Sequence, residues 1–149
     1  MHKSVLTALL IFLSLFGIAD SWYIYQNEAS QAGLACSIQG FDGCNTVAQS
    51  KYSELLGVPL ALYGAVFYSF LFALAALIAV LPSRGRMKIL FALAGAGALA
   101  SLVFSLIQVV VIKAVCVYCF ASAVTSFLIF GFAYWLLKRF APGRLAVVA

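Results

Sequence analysis

The sequence predicts an all-α membrane protein, built as a four-transmembrane-helix bundle in one domain, residues 1–149. Composition and the distribution of apolar residues both indicate this class. Hydrophobic residues make up 66% of the chain and charged residues only 9%. A soluble domain averages roughly 45–50% apolar and about 25% charged residues. A chain this apolar has too few polar side chains to cover a water-facing surface, so we expect lipid to surround it.

Four stretches have the roughly 20 apolar residues that a bilayer-spanning helix needs. We expect the four spans at about residues 5–25, 60–81, 89–112 and 117–137. Pro59 precedes the second span and Pro82 ends it, both positions that a helix tolerates. The first span is longer than the apolar core of about 7–15 residues in a signal peptide, and no clear cleavage site follows it. We therefore expect it to be retained.

The basic residues predict the orientation of the bundle. In a four-span arrangement, Lys51 and Lys113 lie on one side of the membrane and the other seven Lys and Arg residues lie on the opposite side. Cytoplasmic loops are the ones enriched in Lys and Arg, so both termini are expected in the cytoplasm. These residues are scattered singly, and the net charge of +5 therefore indicates membrane topology and not nucleic-acid binding. The seven are Lys3, Arg84, Arg86, Lys88, Lys138, Arg139 and Arg144.

The longest segment outside the spans connects the first helix to the second, at about residues 26–58. By the same topology it is an extracytoplasmic loop. Within it, Thr46 to Leu56 has enough helical character to form a short interfacial helix. Asp20 lies near the outer end of the first span. We expect it to be a solvated boundary charge, with proton acceptance during turnover as the alternative.

The four cysteines form two close pairs. Cys36 and Cys44 make a C-x7-C in the loop, and Cys116 and Cys119 make a C-x2-C where the fourth span begins. The predicted topology puts all four outside the cytoplasm, where disulfides persist. A helix N-terminus lowers the pKa of a thiol and so favours its reactive form. The C-x2-C also lies at the edge of the lipid, where it can meet an oxidant dissolved there.

Other interpretations of the cysteines remain open. Both pairs can form structural disulfides, and a C-x2-C is common in zinc sites. The C-x7-C spacing and the nearby lipid disfavour zinc. His2, the single histidine, lies on the cytoplasmic side of the predicted topology, which disfavours a Cys–His hydrolase.

The segment CSIQGFDGCNTVAQSKYSELLGVPLALYG, followed after two spans by CVYCFASA, resembles the vitamin K epoxide reductase family. The likeness covers nearly the whole chain and includes the loop cysteine pair, a serine six residues after Cys44, the G-x-P before the second span and the C-x2-C. Bacterial members of that family form disulfides. The DsbB family also has four spans and two cysteine pairs, but its C-x2-C comes first and its wide pair second.

The resemblance implies a role for each site residue. Cys36 would be engaged by the thiol of a partner protein. Cys44 would shuttle electrons by exchange with Cys116, and Cys119 would reduce a quinone. Ser50 would hydrogen-bond near the quinone or the loop, unless it is only a helix-cap or surface serine.

The resemblance also implies the cofactor and the partner. The expected cofactor is a quinone, ubiquinone or menaquinone, within a cell (inner) membrane. Many bacterial members carry a fused thioredoxin-like domain. This chain ends nine residues after Phe140, so we expect a separate DsbA-like, thioredoxin-fold partner. Leu60 and Ala123 stand where animal members carry asparagine and tyrosine, which favours quinone reduction over epoxide reduction.

Two functions from other classes remain as alternatives. The chain could be a small transporter with structural disulfides, although it has few charges inside its spans and ion pathways usually need them. It could instead be a structural membrane subunit. A third alternative keeps the family fold but reverses electron flow, because direction depends on redox potentials and spacing does not encode them.

Overall fold

The structure, a computed structural model, describes residues 2–30, 34 and 43–140. Four of its helices are long and apolar enough to cross a membrane. A short helix and a two-stranded hairpin lie between the first two of these. The elements in chain order are α1 (Lys3–Ser30), α2 (Gly43–Ala48), β1 (Glu54–Leu55), β2 (Val58–Pro59), α3 (Leu60–Val80), α4 (Arg84–Leu106), a π-helical segment (Ile107–Ile112) and α5 (Val117–Arg139).

The predicted spans correspond to α1, α3, α4 with the π-helical segment, and α5. The largest differences are at the polar ends, because a helix continues past its apolar stretch wherever the backbone can still hydrogen-bond. Thus α1 runs to Ser30, and α4 begins at Arg84 after Ser83, which has extended backbone angles. The guanidinium of Arg86 donates to the carbonyl of Leu81 and ties the first turn of α4 to the end of α3.

The four long helices pack unequally against one another. Helix α1 packs against both α3 and α5, and α4 packs chiefly on α5, whereas α3 and α4 touch only slightly. The order around the bundle is therefore α3, α1, α5, α4, with the lightest packing between α3 and α4. The core includes Leu6, Leu10, Tyr68, Leu71, Met87, Leu90, Ile129 and Leu136.

The outer faces of the helices are strongly apolar. Phe12, Val66 and Phe70 each expose more than 60% of their surface. Apolar side chains this large and this numerous would make a water-facing surface prone to aggregation. They are the surface expected of a bundle surrounded by lipid tails.

The segment Thr46–Leu56 differs from its prediction as one interfacial helix. Helix α2 ends at Ala48, and a hairpin follows in which Leu55 pairs with Val58. Leu56 and Gly57 at the tip both have positive φ, 56° and 76°. Two successive residues with positive φ make the type I′ turn that fits the twist of a two-residue hairpin. The helical propensity of the segment is thus overridden by a turn next to Gly57.

The two ends of the bundle differ in charge. The end of the bundle that carries Cys116 is called the cysteine end below. The order of the helices places Lys51 and Lys113 at this end, and they are its only Lys or Arg residues among those that the structure describes. The opposite end, the basic end, carries six. At the basic end the ammonium group of Lys3 lies 4.2 Å from the centre of the Phe140 ring. The six are Lys3, Arg84, Arg86, Lys88, Lys138 and Arg139.

Candidate active site

A cavity of about 490 Å³ occupies the cysteine end of the bundle. Residues of α1, α2, α3, α4 and α5 line it, and so do those of the turn after α2. It lies between α3 and α4, which contact each other at Gly97 and Phe67: a Cβ atom on Gly97 would lie 2.5 Å from that ring. Leu60 and Ala123 are both on its wall. The cavity thus brings the predicted redox segment together with the lipid-facing side of the bundle.

Cys116 and Cys119 lie at the start of α5, as the sequence predicts. Cys116 is the N-cap residue, and its Sγ accepts a hydrogen bond from the backbone N–H of Cys119 at 3.3 Å. Cys116 is buried, Cys119 is partly exposed, and both are free thiols that line the cavity. One helical turn separates them, so they can approach each other and form a disulfide.

The start of α5 makes Cys116 the more acidic thiol. A hydrogen bond from the Cys119 thiol is the largest influence, and with backbone N–H groups of Tyr118 and Cys119 it lowers the pKa of Cys116. Burial and the nearby Asp20 carboxylate act in the opposite direction. A thiolate is the nucleophile in thiol–disulfide exchange, so Cys116 is suited to attack a disulfide.

Gln108 holds the backbone of Cys116 in place. Its side-chain Oε1 accepts a hydrogen bond from the Cys116 N–H at 3.1 Å, while its main-chain carbonyl accepts from Lys113 and Ala114. These contacts form the π-helical segment, which ends at Lys113 with a φ of 57°. Gln108 is buried and also lines the cavity. Gln108 is not among the site residues predicted from the sequence. The feature that could have indicated it is a polar side chain within an otherwise apolar span.

Cys44 lies on the same cavity, in a small core with Cys116. Both are buried and pack with Ile24, Leu34 and Val47. Cys44 is disulfide-bonded, so its sulfur is oxidised while Cys116 and Cys119 are reduced. Cys36, the other predicted loop cysteine, lies outside the described residues.

Gly43 sets the approach of α2 to the C-x2-C. A Cβ atom at this position would collide with the backbone carbonyl of Val115, the residue before Cys116. Only glycine therefore allows α2 to come this close. The side chain of Asn45 joins α2 to Leu34, since its Oδ1 accepts a hydrogen bond from the Leu34 N–H at 2.8 Å.

Ser50 lies on the cavity wall and also shapes the turn after α2. Its hydroxyl donates to the carbonyl of Val47 at 2.7 Å and accepts from the N–H of Tyr52 at 3.4 Å. The main-chain carbonyl of Ser50 accepts from both the N–H and the hydroxyl of Ser53. Ser50 therefore has a structural role at this turn, and its predicted role near a quinone stays a prediction.

A buried polar network lies deeper in the bundle, below the cysteines. The Tyr68 hydroxyl is 2.8 Å from the carbonyl of Ser122 and 2.8 Å from the Ser126 hydroxyl. The Tyr68 ring packs directly on α1, because a Cβ atom on Gly17 would lie 2.5 Å from it. All three residues of the network line the cavity. They add fixed polar groups to the wall of a mostly apolar cavity.

Asp20 is not the solvated boundary charge that the sequence predicts. It is only 8% exposed, and its Oδ2 has no hydrogen-bond partner in the part of the chain that the structure describes. It lies on the buried face of α1 with Gly17, Ser21 and Ile24. The sequence position gives the depth of a residue along a helix but not its rotation about the axis, and this explains the error.

The chain matches the model of one protein family, described as the vitamin K epoxide reductase family, over residues 8–134. The matched region contains all four cysteines and the parts of the four long helices that build the cavity.

Proposed function

The chain belongs to the vitamin K epoxide reductase family, and from that premise we propose that it oxidises a thioredoxin-fold thiol protein and passes the electrons to a membrane quinone. Membership implies disulfide-based oxidoreductase activity, with a thiol protein and a quinone as redox partners. The observation that carries the proposal is the shared cavity: Cys44, Cys116 and Cys119 all line it.

The cavity fits a quinone head group. Its volume of about 490 Å³ is within the range of roughly 300–1,000 Å³ usual for small-molecule sites. Its wall is mostly apolar, with the Gln108 amide and the Tyr68 hydroxyl among its few polar groups. The light packing between α3 and α4 offers a path for a lipid-soluble molecule. When bound, ubiquinone or menaquinone would supply a two-electron acceptor next to Cys119.

The cysteines are arranged for a relay by disulfide exchange. A reduced partner would attack the loop disulfide at Cys36 and leave with its own cysteines oxidised, so that Cys36 and Cys44 become thiols. Cys44 then exchanges with an oxidised Cys116–Cys119 pair, with which it already shares a core. The resulting Cys116–Cys119 dithiol delivers two electrons and two protons to the acceptor, with Cys119 as the reducing thiol. Each exchange step transfers one electron pair from a dithiol to a disulfide, and the last step transfers that pair to the quinone.

The charges of the bundle support an orientation in the cell membrane. The basic end would face the cytoplasm, together with both termini, and the cysteine end would face the opposite side. The site would then lie where secreted proteins acquire disulfides. Ser50, at the cavity wall, would hydrogen-bond near the quinone or the loop.

The cavity wall favours quinone over epoxide reduction. Leu60 and Ala123 line it at the positions where animal members carry asparagine and tyrosine. Neither side chain can donate a hydrogen bond to an epoxide or carbonyl oxygen.

The test is steady-state quinone reduction by the purified protein, with a reduced DsbA-like protein as donor. We expect turnover in the parent and none in Cys36→Ala or Cys119→Ala, while Cys36→Ala still binds quinone. Unimpaired turnover in Cys119→Ala contradicts the proposed relay. Absence of quinone reduction by a folded parent protein with its disulfide intact supports the transporter or structural alternative.

A paired substitution tests the cavity as the quinone site. Ala100 lines the cavity, whereas its neighbour Leu99 does not and is 64% exposed. We expect Ala100→Trp to raise the quinone KM at least tenfold and Leu99→Trp to leave it unchanged. Equal effects of the two substitutions would contradict this location.

A further inference from the structure

Asp20 is a buried carboxyl that the relay described above does not use. Its side chain is 8% exposed, and its Oδ2 has no hydrogen-bond partner among the described residues. No ion pair to it is found among residues 2–30, 34 and 43–140. An unpaired carboxylate in an apolar interior is strongly disfavoured, so such a group is protonated or exchanges a proton with a neighbour. An ionisable residue within a membrane span is also a candidate functional residue.

The groups around Asp20 belong to the site. Helix α1 packs between α3 and α5. On the buried face of α1, Gly17 lies one turn before Asp20 and contacts the Tyr68 ring, and Ser21 and Ile24 follow Asp20. Ser21 and Ile24 line the cavity together with Cys116 and Cys119, and Ile24 packs in one core with Cys116 and Tyr118. The titratable neighbours of Asp20 are therefore Tyr68, Tyr118, Cys116 and Cys119, and the charge of Asp20 influences all four. Each of these side chains is neutral when protonated and negatively charged when deprotonated. None of them can compensate a carboxylate with a positive charge.

A negative charge on Cys116 therefore competes with one on Asp20. The hydrogen bond from Cys119 favours the Cys116 thiolate in the reduced protein. Two like charges in a site of low dielectric do not both persist, and one of the two groups takes up a proton. When Cys116 and Cys119 form a disulfide, the thiolate disappears and the carboxyl can ionise.

We propose that Asp20 is the proton-holding group of the Cys116–Cys119 couple, binding a proton when the disulfide is reduced and releasing it when the disulfide forms. Oxidation of the pair removes two electrons and forms one S–S bond. The acceptor takes two protons, one from the Cys119 thiol and one from the Asp20 carboxyl, which is left ionised. When the Cys36 and Cys44 thiols reduce the pair again, one of their two protons goes to Cys119 and the other returns to Asp20.

The inference rests on the proposed role of Cys116 and Cys119 but not on quinone reduction, so it is tested without quinone. The measurement is infrared difference spectroscopy of the Cys36→Ser/Cys44→Ser variant, recorded between its chemically reduced and oxidised states. We expect a protonated-carboxyl band to appear on reduction. It is expected to vanish in Asp20→Asn and to persist in Glu28→Gln and Glu54→Gln, the controls at the same end of the bundle.

Turnover gives a second readout. Asp20→Asn keeps the size of the side chain and removes the buried charge, so we expect a folded protein with quinone reduction slowed at least tenfold. Glu54→Gln is expected to retain the parent rate. An unchanged carboxyl signal on reduction, or a signal that persists in Asp20→Asn, overturns the inference. A parent that shows the signal but reduces no quinone refutes the proposed function and leaves the inference standing.

Discussion

The side-chain carbonyl of Gln108 accepts a hydrogen bond of 3.1 Å from the backbone N–H of Cys116. This contact joins the end of the third spanning helix to the residue that caps the fourth. It provides an acceptor for the buried N–H of Cys116, which lies between two helices and has no acceptor within either of them. The position of the reactive cysteine therefore depends on a side chain eight residues earlier.

Gln108→Met is expected to disturb the site with little change in the volume of the cavity. The substitution leaves the Cys116 N–H buried without an acceptor, which costs about 1–3 kcal/mol. We expect lower thermal stability and quinone reduction slowed by about tenfold or more. Ser105→Ala is the control, because Ser105 lines the same cavity one turn earlier and holds no contact with Cys116. Equal turnover in the two variants would show that the hydrogen bond has no positioning role.

Gly43→Ala is expected to slow exchange between the loop and the C-x2-C. The added methyl group meets the Val115 carbonyl, which belongs to the backbone and cannot rotate away. Helix α2 must therefore move, and Cys44 moves with it. Rapid-mixing kinetics of thiol exchange would report a rate at least tenfold lower, with quinone reduction by a pre-reduced Cys116–Cys119 pair unchanged.

Gly131→Ala provides the matched control for this substitution. Gly131 is exposed on α5, and no atom of the described residues lies within 4 Å of a Cβ atom there. We expect its exchange rate to equal that of the parent. If Gly43→Ala also exchanges at the parent rate, the close contact of α2 with Val115 is not required for electron transfer.

The Cys116 thiol is expected to ionise below its ordinary pKa. The Cys119 hydrogen bond lowers the pKa of Cys116 from the ordinary value of 9.0, so at neutral pH the thiolate fraction exceeds that of a free cysteine. The pH dependence of thiolate ultraviolet absorbance measures this in the Cys36→Ser/Cys44→Ser variant. Adding Cys119→Ala removes the largest cause and is expected to move the midpoint upward. A titration midpoint that is unchanged or lower in this variant contradicts the proposal that the Cys119 hydrogen bond lowers the pKa of Cys116.

Gly17→Ala is expected to destabilise the bundle. The new methyl group would lie 2.5 Å from the Tyr68 ring, and that ring is held by hydrogen bonds to Ser122 and Ser126. Overpacking of this kind costs about 1–3 kcal/mol. Thermal unfolding in detergent would show the loss, with Gly131→Ala as the control. An unfolding temperature equal to that of the control would indicate that Tyr68 relaxes freely.

The sequence predicts the four spans well, because lipid imposes a minimum length of apolar helix that hydropathy reveals directly. It also predicts that Cys116 and Cys119 lie at a helix start, since their spacing and the onset of the fourth apolar stretch coincide. The helical segment at Thr46–Leu56 was predicted too long. Residues 54–59 instead form a hairpin whose tip needs two positive φ angles, and that local conformation overrides helical propensity.

Two features of the site depend on how helices are rotated and packed. The burial of Asp20 follows from the face that α1 turns toward α3 and α5, and an almost uniformly apolar helix gives no periodic pattern from which to predict that face. The role of Gln108 depends on the π-helical segment that ends at Lys113. That segment forms through contacts with residues 113–116, which no local propensity encodes.

A single-turnover reaction tests the central claim most directly. The protein is fully reduced, freed of reductant and mixed anaerobically with quinone, and both quinol formed and thiols lost are counted. We expect the Cys36→Ser/Cys44→Ser variant to yield one quinol and lose two thiols per chain, because the Cys116–Cys119 dithiol suffices. The same variant with Cys119→Ala is expected to yield none. Quinol formation that survives the loss of Cys119, or that fails while Cys116 and Cys119 are both reduced, would contradict the account.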